Sequence, residues 1–370
     1  MARKYGKKNE IKIDPLAYNL GLFGESGIGK SSTIVEYCEA LAGEDGYLLL
    51  NIGREDGVDA IPDAMYENIP DWETFEDFVD DVIANRHTEY KDLKVIAYDT
   101  IDELFRIAEP QVVRLHNLEN PTKQVKSIKA AFGGYQAGED KAIEIVIDKL
   151  WSLKDIGISM IVIGHTKRRT NTDVVTGEEY DMLTANMLQR YFNAIKTKLH
   201  ALGVASIDRT IEKQKVKQKI GNDKTIGKVV DESRIITFRD DNFNIDSKSR
   251  FQEITPKINM NAKELVAAMQ DAVQKAYERQ RTKKSVEQVA QEQAVEKQKQ
   301  VDEQLDKLKN NHVDEELNHN LVIEFKELYN LADDELKAEV AEFIAGEEIS
   351  LKNYKEEPTA KLQKLVGLLK

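Results

Sequence analysis

A run of small residues ending in a lysine and a serine, Gly24-Glu-Ser-Gly-Ile-Gly-Lys-Ser31, has the residue types and spacing to hold phosphate groups. It satisfies the P-loop pattern GxxxxGK[ST], in which glycines permit a tight turn whose backbone N–H groups converge on phosphate oxygens. Lys30 is then placed to neutralise β- and γ-phosphate oxygens, and Ser31 is placed to ligate Mg²⁺. The alternative is a glycine-rich turn that merely joins a strand to a helix.

The context on both sides of this run favours phosphate binding. An apolar strand is predicted at 19–23 before the run, and a helix is predicted at 30–41 after it, as the mechanism requires. The residues predicted to bind ATP are therefore Gly24, Glu25, Ser26, Gly27, Ile28, Gly29, Lys30, Ser31 and Ser32.

Asp99 ends a second apolar run, Val95-Ile-Ala-Tyr98. An acidic residue at such a strand end is needed to hold Mg²⁺ beside Ser31, directly or through water. The alternative is an Asp that caps the turn starting at Asp99-Thr100. The chain order, with the P-loop first and the acidic strand end second, favours a magnesium site formed by Ser31 and Asp99.

Short apolar runs alternate with amphipathic stretches over the first 260 or so residues, which is typical of βαβ units. We therefore predict an α/β fold with a mostly parallel sheet and appended antiparallel strands. The predicted parallel strands are 19–23, 47–52, 94–98 and 159–163; the helices are 30–41, 72–84 and a long one ending near 154; the antiparallel strands are 199–219 and 234–239.

Composition excludes several classes of protein. The chain has 370 residues, a net charge of -13 and one cysteine, so a disulfide framework is excluded and a reducing compartment is expected. It contains neither a signal peptide nor a long apolar run, so we expect a cytoplasmic protein with no membrane partner. Its acidity argues against coating nucleic acid through bulk charge, so any such contact needs a local basic patch.

The composition also divides the chain. No aromatic residue occurs between Tyr277 and Phe325, and 281–309 consists largely of Gln, Glu, Lys and Val. Such a stretch supports a solvated helix but does not build a core. We predict a first domain at 1–262, a charged helical linker at 263–318 and a small helical domain at 319–370.

Five segments, in this order, resemble RecA-type ATPases, and the resemblance covers roughly residues 15–260. Only the P-loop is by itself specific evidence for the family. The other segments support the resemblance because they occur in the expected order. The segments are the P-loop, Leu48-Leu-Leu-Asn-Ile52 running into Gly53-Arg-Glu55, Val95-Ile-Ala-Tyr-Asp99-Thr100, Met160-Ile-Val-Ile-Gly164-His165, and Val216-Lys-Gln-Lys-Ile220.

The resemblance implies roles for residues beyond the P-loop. Glu55 takes the place of the glutamate that activates the attacking water, although it is also explained as a loop acid beside Arg54. His165 stands where RecA has a γ-phosphate-sensing glutamine, and a structural histidine is its alternative. Lys217 and Lys219 correspond to lysines that reach the ATP of a neighbouring subunit, while an edge strand protected by lysines is the alternative.

The chain is most similar to the small RecA-like ATPases of phages that act as single-strand annealing recombinases. Those proteins often carry His at the sensor position and a late Arg-Phe pair like Arg250-Phe251. The resemblance implies a homo-oligomer, either a ring or a filament. Because only about 18 residues precede the P-loop strand, too few for an ordinary polymerisation helix and linker, a ring or dynamic oligomer is favoured.

Two basic segments are candidates for binding single-stranded DNA. Lys167-Arg168-Arg169 precedes a polar loop predicted at 170–179, and Lys126 and Lys129 precede the aromatic Tyr135. Mobile loops that pair basic and aromatic side chains suit single-strand binding, although charge runs are often simply solvated. Their positions agree with where RecA-like folds carry DNA loops.

The predicted function is a DNA-stimulated ATPase of recombination, encoded by a phage and acting in the host cytoplasm, that binds single-stranded DNA and promotes annealing. A single-strand-binding protein is a further expected partner. One alternative is a motor or helicase-loader ATPase of DNA replication. The other is a nucleotide-sensing scaffold with little turnover.

Overall fold

A computed structural model describes residues 6, 9–54, 57–172, 176–216, 224–239, 247–280, 284–311, 315–347 and 349–369. Their strands are β1 (Leu20–Gly24), β2 (Tyr47–Ile52), β3 (Tyr66–Ile69), β4 (Val95–Asp99), β5 (Ser159–Thr172), β6 (Glu179–Ala185), β7 (Ala201–Val216), β8 (Lys224–Thr237), β9 (Lys248–Ser249) and β10 (Lys257–Asn259). Their helices are α1 (Lys30–Ala42), α2 (Trp72–Ala84), α3 (Ile101–Glu119), α4 (Ala137–Asp155), α5 (Gln189–Lys196), α6 (Ala262–Glu278), α7 (Val286–Asn311), α8 (Glu315–Leu331), α9 (Asp334–Gly346) and α10 (Thr359–Gly367).

The sheet has the order β10-β8-β7-β1-β5-β4-β2-β3, with β6 on β5 and β9 on β7. The strands from β7 to β3 run parallel, whereas β8 pairs antiparallel with β7 and β10 antiparallel with β8. The α/β fold with a mostly parallel sheet and appended antiparallel strands is therefore confirmed.

The central strands are buried on both faces, which explains why they appear in the sequence as continuous apolar runs. Leu20 and Leu22 of β1 join a core with residues of α1 and α6. Phe23, the next residue in the pleat, packs its ring against Phe192 of α5 at 5.5 Å. By their register, β1, β2 and β4 end at one edge of the sheet, whereas β5 and β7 continue beyond it. Polar residues are brought side by side at that edge.

The chain forms two compact units, Met1–Val295 and Glu296–Lys370. The first unit contains the sheet, and α6, which begins the predicted linker, contributes Leu265 and Met269 to its core. The second unit has its own apolar cluster, which includes Phe325, Val340 and Leu365. Among the described residues, no helix combines the length and the apolar character that a membrane span requires.

The two ends of the loop predicted at 170–179 belong to strands. The segment after His165 continues as β5 to Thr172 and pairs antiparallel with β6, from Thr166 opposite Ala185 to Thr172 opposite Glu179. Lys167, Arg168 and Arg169 therefore lie in a β-hairpin rather than at the start of a mobile loop. The backbone hydrogen bonds of β6 explain the difference, because a polar strand without its partner resembles a loop in sequence.

Candidate nucleotide-binding site

The P-loop joins the carboxyl end of β1 to the N-terminus of α1. Gly29, the residue before the helix, has a φ of +105°, which side-chain-bearing residues rarely adopt. At Gly24 a Cβ atom would lie 2.9 Å from the Cβ of Ala205 in β7, so that position accepts only glycine without movement. The loop therefore owes its shape both to its own glycines and to the neighbouring strand.

Lys30 is the first residue of α1, and its side chain is held inside the loop. The residue is only 5% exposed. Its ammonium group donates hydrogen bonds to the carbonyl oxygens of Gly24 at 3.1 Å and Glu25 at 3.0 Å. A buried cation beside the first turn of a helix provides a strong local field for an anion.

Ser31 and Asp99 meet across the sheet edge. The hydroxyl of Ser31 donates to the Oδ2 atom of Asp99 at 2.5 Å, and Asp99 is 6% exposed at the end of β4. A hydroxyl and a carboxylate are the oxygen ligands that Mg²⁺ takes beside nucleotide phosphates. The described residues contain no group of three His, Cys, Asp or Glu side chains that could hold a metal alone. Mg²⁺ beside nucleotides usually takes phosphate and water oxygens as its other ligands.

His165 lies beside the P-loop and is held by Asp102. The register of β5 on β1 places His165 opposite Gly24. Its Nδ1 atom is 2.9 Å from the Oδ2 atom of Asp102, and its backbone N–H donates to Oδ1 at 3.3 Å. A hydrogen bond donated from Nδ1 to the carboxylate leaves Nε2 as the acceptor of the neutral ring. Asp102 thus fixes the orientation of the predicted phosphate sensor.

Asp102 is a site residue that the sequence reasoning missed, because an acid in the first turn of a helix is explained by the helix dipole alone. The signal present in the sequence is its spacing, three residues after Asp99 at the start of α3. A side chain at that position lies above a strand end, on the same sheet edge as the phosphate loop.

Two arginines contact the P-loop from other strands. The Nε atom of Arg168 in β5 is 3.2 Å from the Oε1 atom of Glu25. Arg234 in β8 donates from its guanidinium to the carbonyl oxygen of Ile28 at 3.0 Å. Arg234 was not predicted, because 206 residues separate the two partners and only the antiparallel pairing of β8 with β7 brings them together.

The remaining predicted site residues are distributed as follows. Glu55, Lys217 and Lys219 lie outside the described residues. Gly53, which directly follows β2, is close to the carboxylate of Glu103 in α3. The segment that leads into Glu55 therefore starts at the same sheet edge as Asp99.

The second predicted DNA segment lies between α3 and α4. Lys126, Lys129 and Tyr135 are all exposed there, Tyr135 with a relative exposure of 102%. Phe132 anchors the segment, because its N–H donates to the Nδ1 atom of His116 at 3.1 Å and the two rings pack edge-on. These three exposed side chains therefore lie on a segment that the contacts of Phe132 with His116 hold against α3.

The residues present fit a magnesium-bound nucleotide. Gly24 and Gly29 carry no Cβ atom at the two ends of the loop, Lys30 supplies a buried positive charge, and Ser31 with Asp99 supplies the oxygen ligands. When bound, Mg²⁺ would neutralise charge on the phosphates.

No curated protein matches the chain, whereas solved structures do. It is similar to a prototypical ATPase from the type III secretion system of pathogenic bacteria, with 14% identity, a TM-score of 0.29 and coverage of 52% of this chain. The chain spans about half, 54%, of the length of that ATPase. It is also similar to the flagellar accessory protein FlaH from Methanocaldococcus jannaschii, with 11% identity, a TM-score of 0.29 and coverage of 66% of this chain and 88% of that one.

A family model described as an AAA domain matches residues 17–251, which is more than half of the chain and includes both the P-loop and the strand that ends at Asp99. The chain therefore belongs to this family of P-loop ATPase domains.

Proposed function

We propose that this chain hydrolyses ATP with Mg²⁺, binds single-stranded DNA and promotes the annealing of complementary strands in DNA recombination. The observation that carries the ATPase part is the contact of Ser31 with Asp99 beside the buried ammonium group of Lys30. Phosphoryl transfer depends mainly on positioning and on charge neutralisation, and these three side chains serve both purposes.

The remaining steps of hydrolysis fall to four residues named from the sequence: Glu55, His165, Lys217 and Lys219. Glu55 polarises the attacking water, as proposed from its place after β2. His165, oriented by Asp102, detects the γ-phosphate through a hydrogen bond. In an oligomer, Lys217 and Lys219 reach the nucleotide of the neighbouring subunit.

The β5–β6 hairpin supports the DNA-binding part of the proposal. Lys167, Arg168 and Arg169 follow His165 on the same strand, and all three side chains are exposed. Side chains alternate along a strand, so Lys167 and Arg169 project from the face opposite Arg168, which contacts Glu25. Two cations thus remain available to DNA phosphates on a strand that also carries the phosphate sensor.

The contact between Arg168 and Glu25 offers a path from DNA to the phosphate loop. The two side chains are 59% and 40% exposed, and an ion pair this accessible contributes only about 0–1 kcal/mol. A DNA phosphate can therefore replace Glu25 as the partner of Arg168 at little cost. Lys126, Lys129 and the fully exposed ring of Tyr135 provide a second candidate surface, on which a base can stack.

ATP hydrolysis with and without single-stranded DNA, measured together with strand annealing, tests the proposal. We expect DNA to stimulate hydrolysis, annealing to require ATP, and no unwinding of duplexes. Unwinding or loading of a helicase would instead favour a replication motor or loader, and tight ATP binding without DNA-stimulated turnover would favour the scaffold. A Glu55→Gln variant is expected to bind ATP normally but to turn over about 10²-fold more slowly.

A further inference from the structure

A group of cations surrounds His200 at the sheet edge opposite the P-loop. His200 immediately precedes β7, which begins beside the first residue of β1, whereas the P-loop follows the last residue of β1. The cationic face, as we define it, consists of Lys12, Lys154, Lys198, Lys248 and Arg250 around His200.

Hydrogen bonds to the start of β1 and β7 fix the centre of this face. Asn19 donates its backbone N–H to the Nδ1 atom of His200 at 3.0 Å. The side chain of Asn19 donates to the carbonyl oxygen of Lys198 at 3.0 Å and accepts a hydrogen bond from the ammonium group of Lys154. The cations of α4 and of the α5–β7 turn are therefore connected through one buried asparagine.

The strand β9 and the residue that follows it add two more cations, Lys248 and Arg250. Arg250 donates its backbone N–H to the carbonyl oxygen of His200 at 2.8 Å and a guanidinium N–H to that of Thr197 at 2.5 Å. The ammonium group of Lys248 donates to the carbonyl oxygen of Lys196 at 2.6 Å. These carbonyl contacts hold the cations in place and leave part of their donor capacity for a ligand, since a guanidinium has five N–H groups and an ammonium three.

Burial and mutual repulsion lower the pKa of two groups of this face. Burial, together with the charges of Lys154, Arg250, Lys248 and Lys12, lowers the pKa of His200 to about 4. Burial and the charges of Arg250 and Lys196 also lower the pKa of Lys248. In a chain with a net charge of -13, such a local concentration of positive charge creates a field that attracts anions.

Aromatic side chains are interleaved with the cations. The ammonium groups of Lys154 and Lys198 lie 5.9 and 5.5 Å from the ring centre of Trp151. Beside them, a cavity of about 340 Å³ is lined by Tyr18, His200, Arg250 and Phe251, among others. This volume falls within the range of small-ligand sites and is large enough for a nucleobase.

We propose that the cationic face binds single-stranded nucleic acid, with its cations on the phosphates and its aromatic side chains beside the bases. The proposal takes its ligand class from the proposed function but adds a further surface, at the sheet edge opposite the hairpin residues Lys167 and Arg169. Cations spread over four segments of the chain suit a polymer of phosphates, and interleaved aromatic rings suit bases rather than an acidic peptide.

Binding of a fluorescent oligothymidylate of about 16 nucleotides to the full chain without ATP tests the proposal. The variant Lys12→Glu/Lys198→Glu reverses two exposed charges of the face. We expect its affinity to fall at least tenfold, and the slope of log K against log salt to decrease by about 0.7 for each phosphate that the variant no longer neutralises. The control Lys12→Glu/Lys263→Glu makes the same change in net charge but reverses only one cation of the face, so its loss of affinity is expected to be clearly smaller.

Three outcomes overturn the proposal: equal affinity of the double variant and the wild type, an equal loss of affinity in the control, or equally tight binding of polyglutamate through the same residues.

The hairpin variant Lys167→Ala/Arg169→Ala separates this proposal from the proposed function. If the hairpin variant loses DNA binding and the Lys12→Glu/Lys198→Glu variant does not, the result contradicts binding at the cationic face and supports binding at the hairpin. A wild type that binds no oligonucleotide contradicts the DNA-binding part of the proposed function, and with it the ligand assigned to the face. Circular dichroism and ATP affinity establish that each variant is folded.

Discussion

Ser31 donates a hydrogen bond of 2.5 Å to Asp99, a residue 68 positions further along the chain. The contact joins the first turn of α1 to the end of β4, although β5 lies between β1 and β4 in the sheet. Parallel strands that end at one edge make this meeting possible, because each delivers its following residue to the same side. The pair is the structural basis for expecting a magnesium-dependent nucleotide site.

Asp99→Asn removes the negative charge from this pair while keeping its size. We expect the affinity for ATP in the presence of Mg²⁺ to fall about 10- to 100-fold, because an interaction with a charged group contributes about 1.5–3 kcal/mol. Calorimetric titration with and without Mg²⁺ measures the effect, and Asp77→Asn, which changes an exposed carboxylate of α2, is the control. Unchanged magnesium dependence would remove Asp99 from the metal site.

Asp102→Asn tests the orientation of His165. We expect kcat for ATP hydrolysis to fall about tenfold, as for the loss of a residue that positions another, with KM changed less than about twofold. Glu103→Gln alters the neighbouring acid, which pairs with Arg106, and is expected to leave kcat close to that of the wild type. A larger change in KM than in kcat would assign Asp102 to nucleotide binding instead.

Arg234→Ala removes the cation that contacts the carbonyl oxygen of Ile28. We expect a loss of about tenfold in ATP affinity, because both a charge near the phosphates and a support of the loop disappear. Arg209→Ala, which removes an arginine paired with Glu232 on the same hairpin, is the matched control. Equal effects of the two substitutions would show that only the stability of the β7–β8 hairpin is affected.

The environment of His200 makes stability depend on pH. Its pKa is lowered from 6.5 to about 4, first by burial and then by the surrounding cations. Between these values the unfolded chain binds a proton that the folded chain does not bind, so the free energy of unfolding decreases as the pH falls from about 6.5 to about 4.

His200→Asn retains an acceptor for the N–H of Asn19 but does not titrate. Urea unfolding at about pH 7 and about pH 5 is therefore expected to show a smaller loss of stability in this variant than in the wild type. His87→Asn, which changes an exposed histidine, is expected to behave like the wild type. An identical loss of stability in all three proteins would contradict this description of His200.

The elements around the phosphate loop were predictable because local pattern determines them. β1, β2 and β4 are short apolar runs with small or polar residues at their ends, and burial on both faces of the sheet requires such runs. A helix start was expected at Asp102 and Glu103, but the bounds of α3 were not predicted, although Leu104 and Phe105 are at buried positions. Pro110 inside it interrupts the helical pattern, and only packing against neighbouring helices compensates for a proline there.

The contacts that complete the site depend on tertiary structure. Asp102 is close to His165 only because α3 starts after the end of β4, which pairs with β5. Arg234 reaches the P-loop only through the pairing of β8 with β7. The sequence alone favours a DNA-binding loop for Arg168, whereas this residue lies in a strand and pairs with Glu25. Charge runs in the sequence identify cations but not their partners.

Nucleotide binding by Lys30→Ala, compared with the wild type, tests the central claim most directly. Circular dichroism first shows whether the variant retains its fold. We expect titration with ATP and Mg²⁺ to give binding for the wild type and none for the variant, because the buried ammonium group is the main positive charge of the loop. A folded variant that binds ATP as tightly as the wild type would contradict the assignment of this loop as the phosphate site.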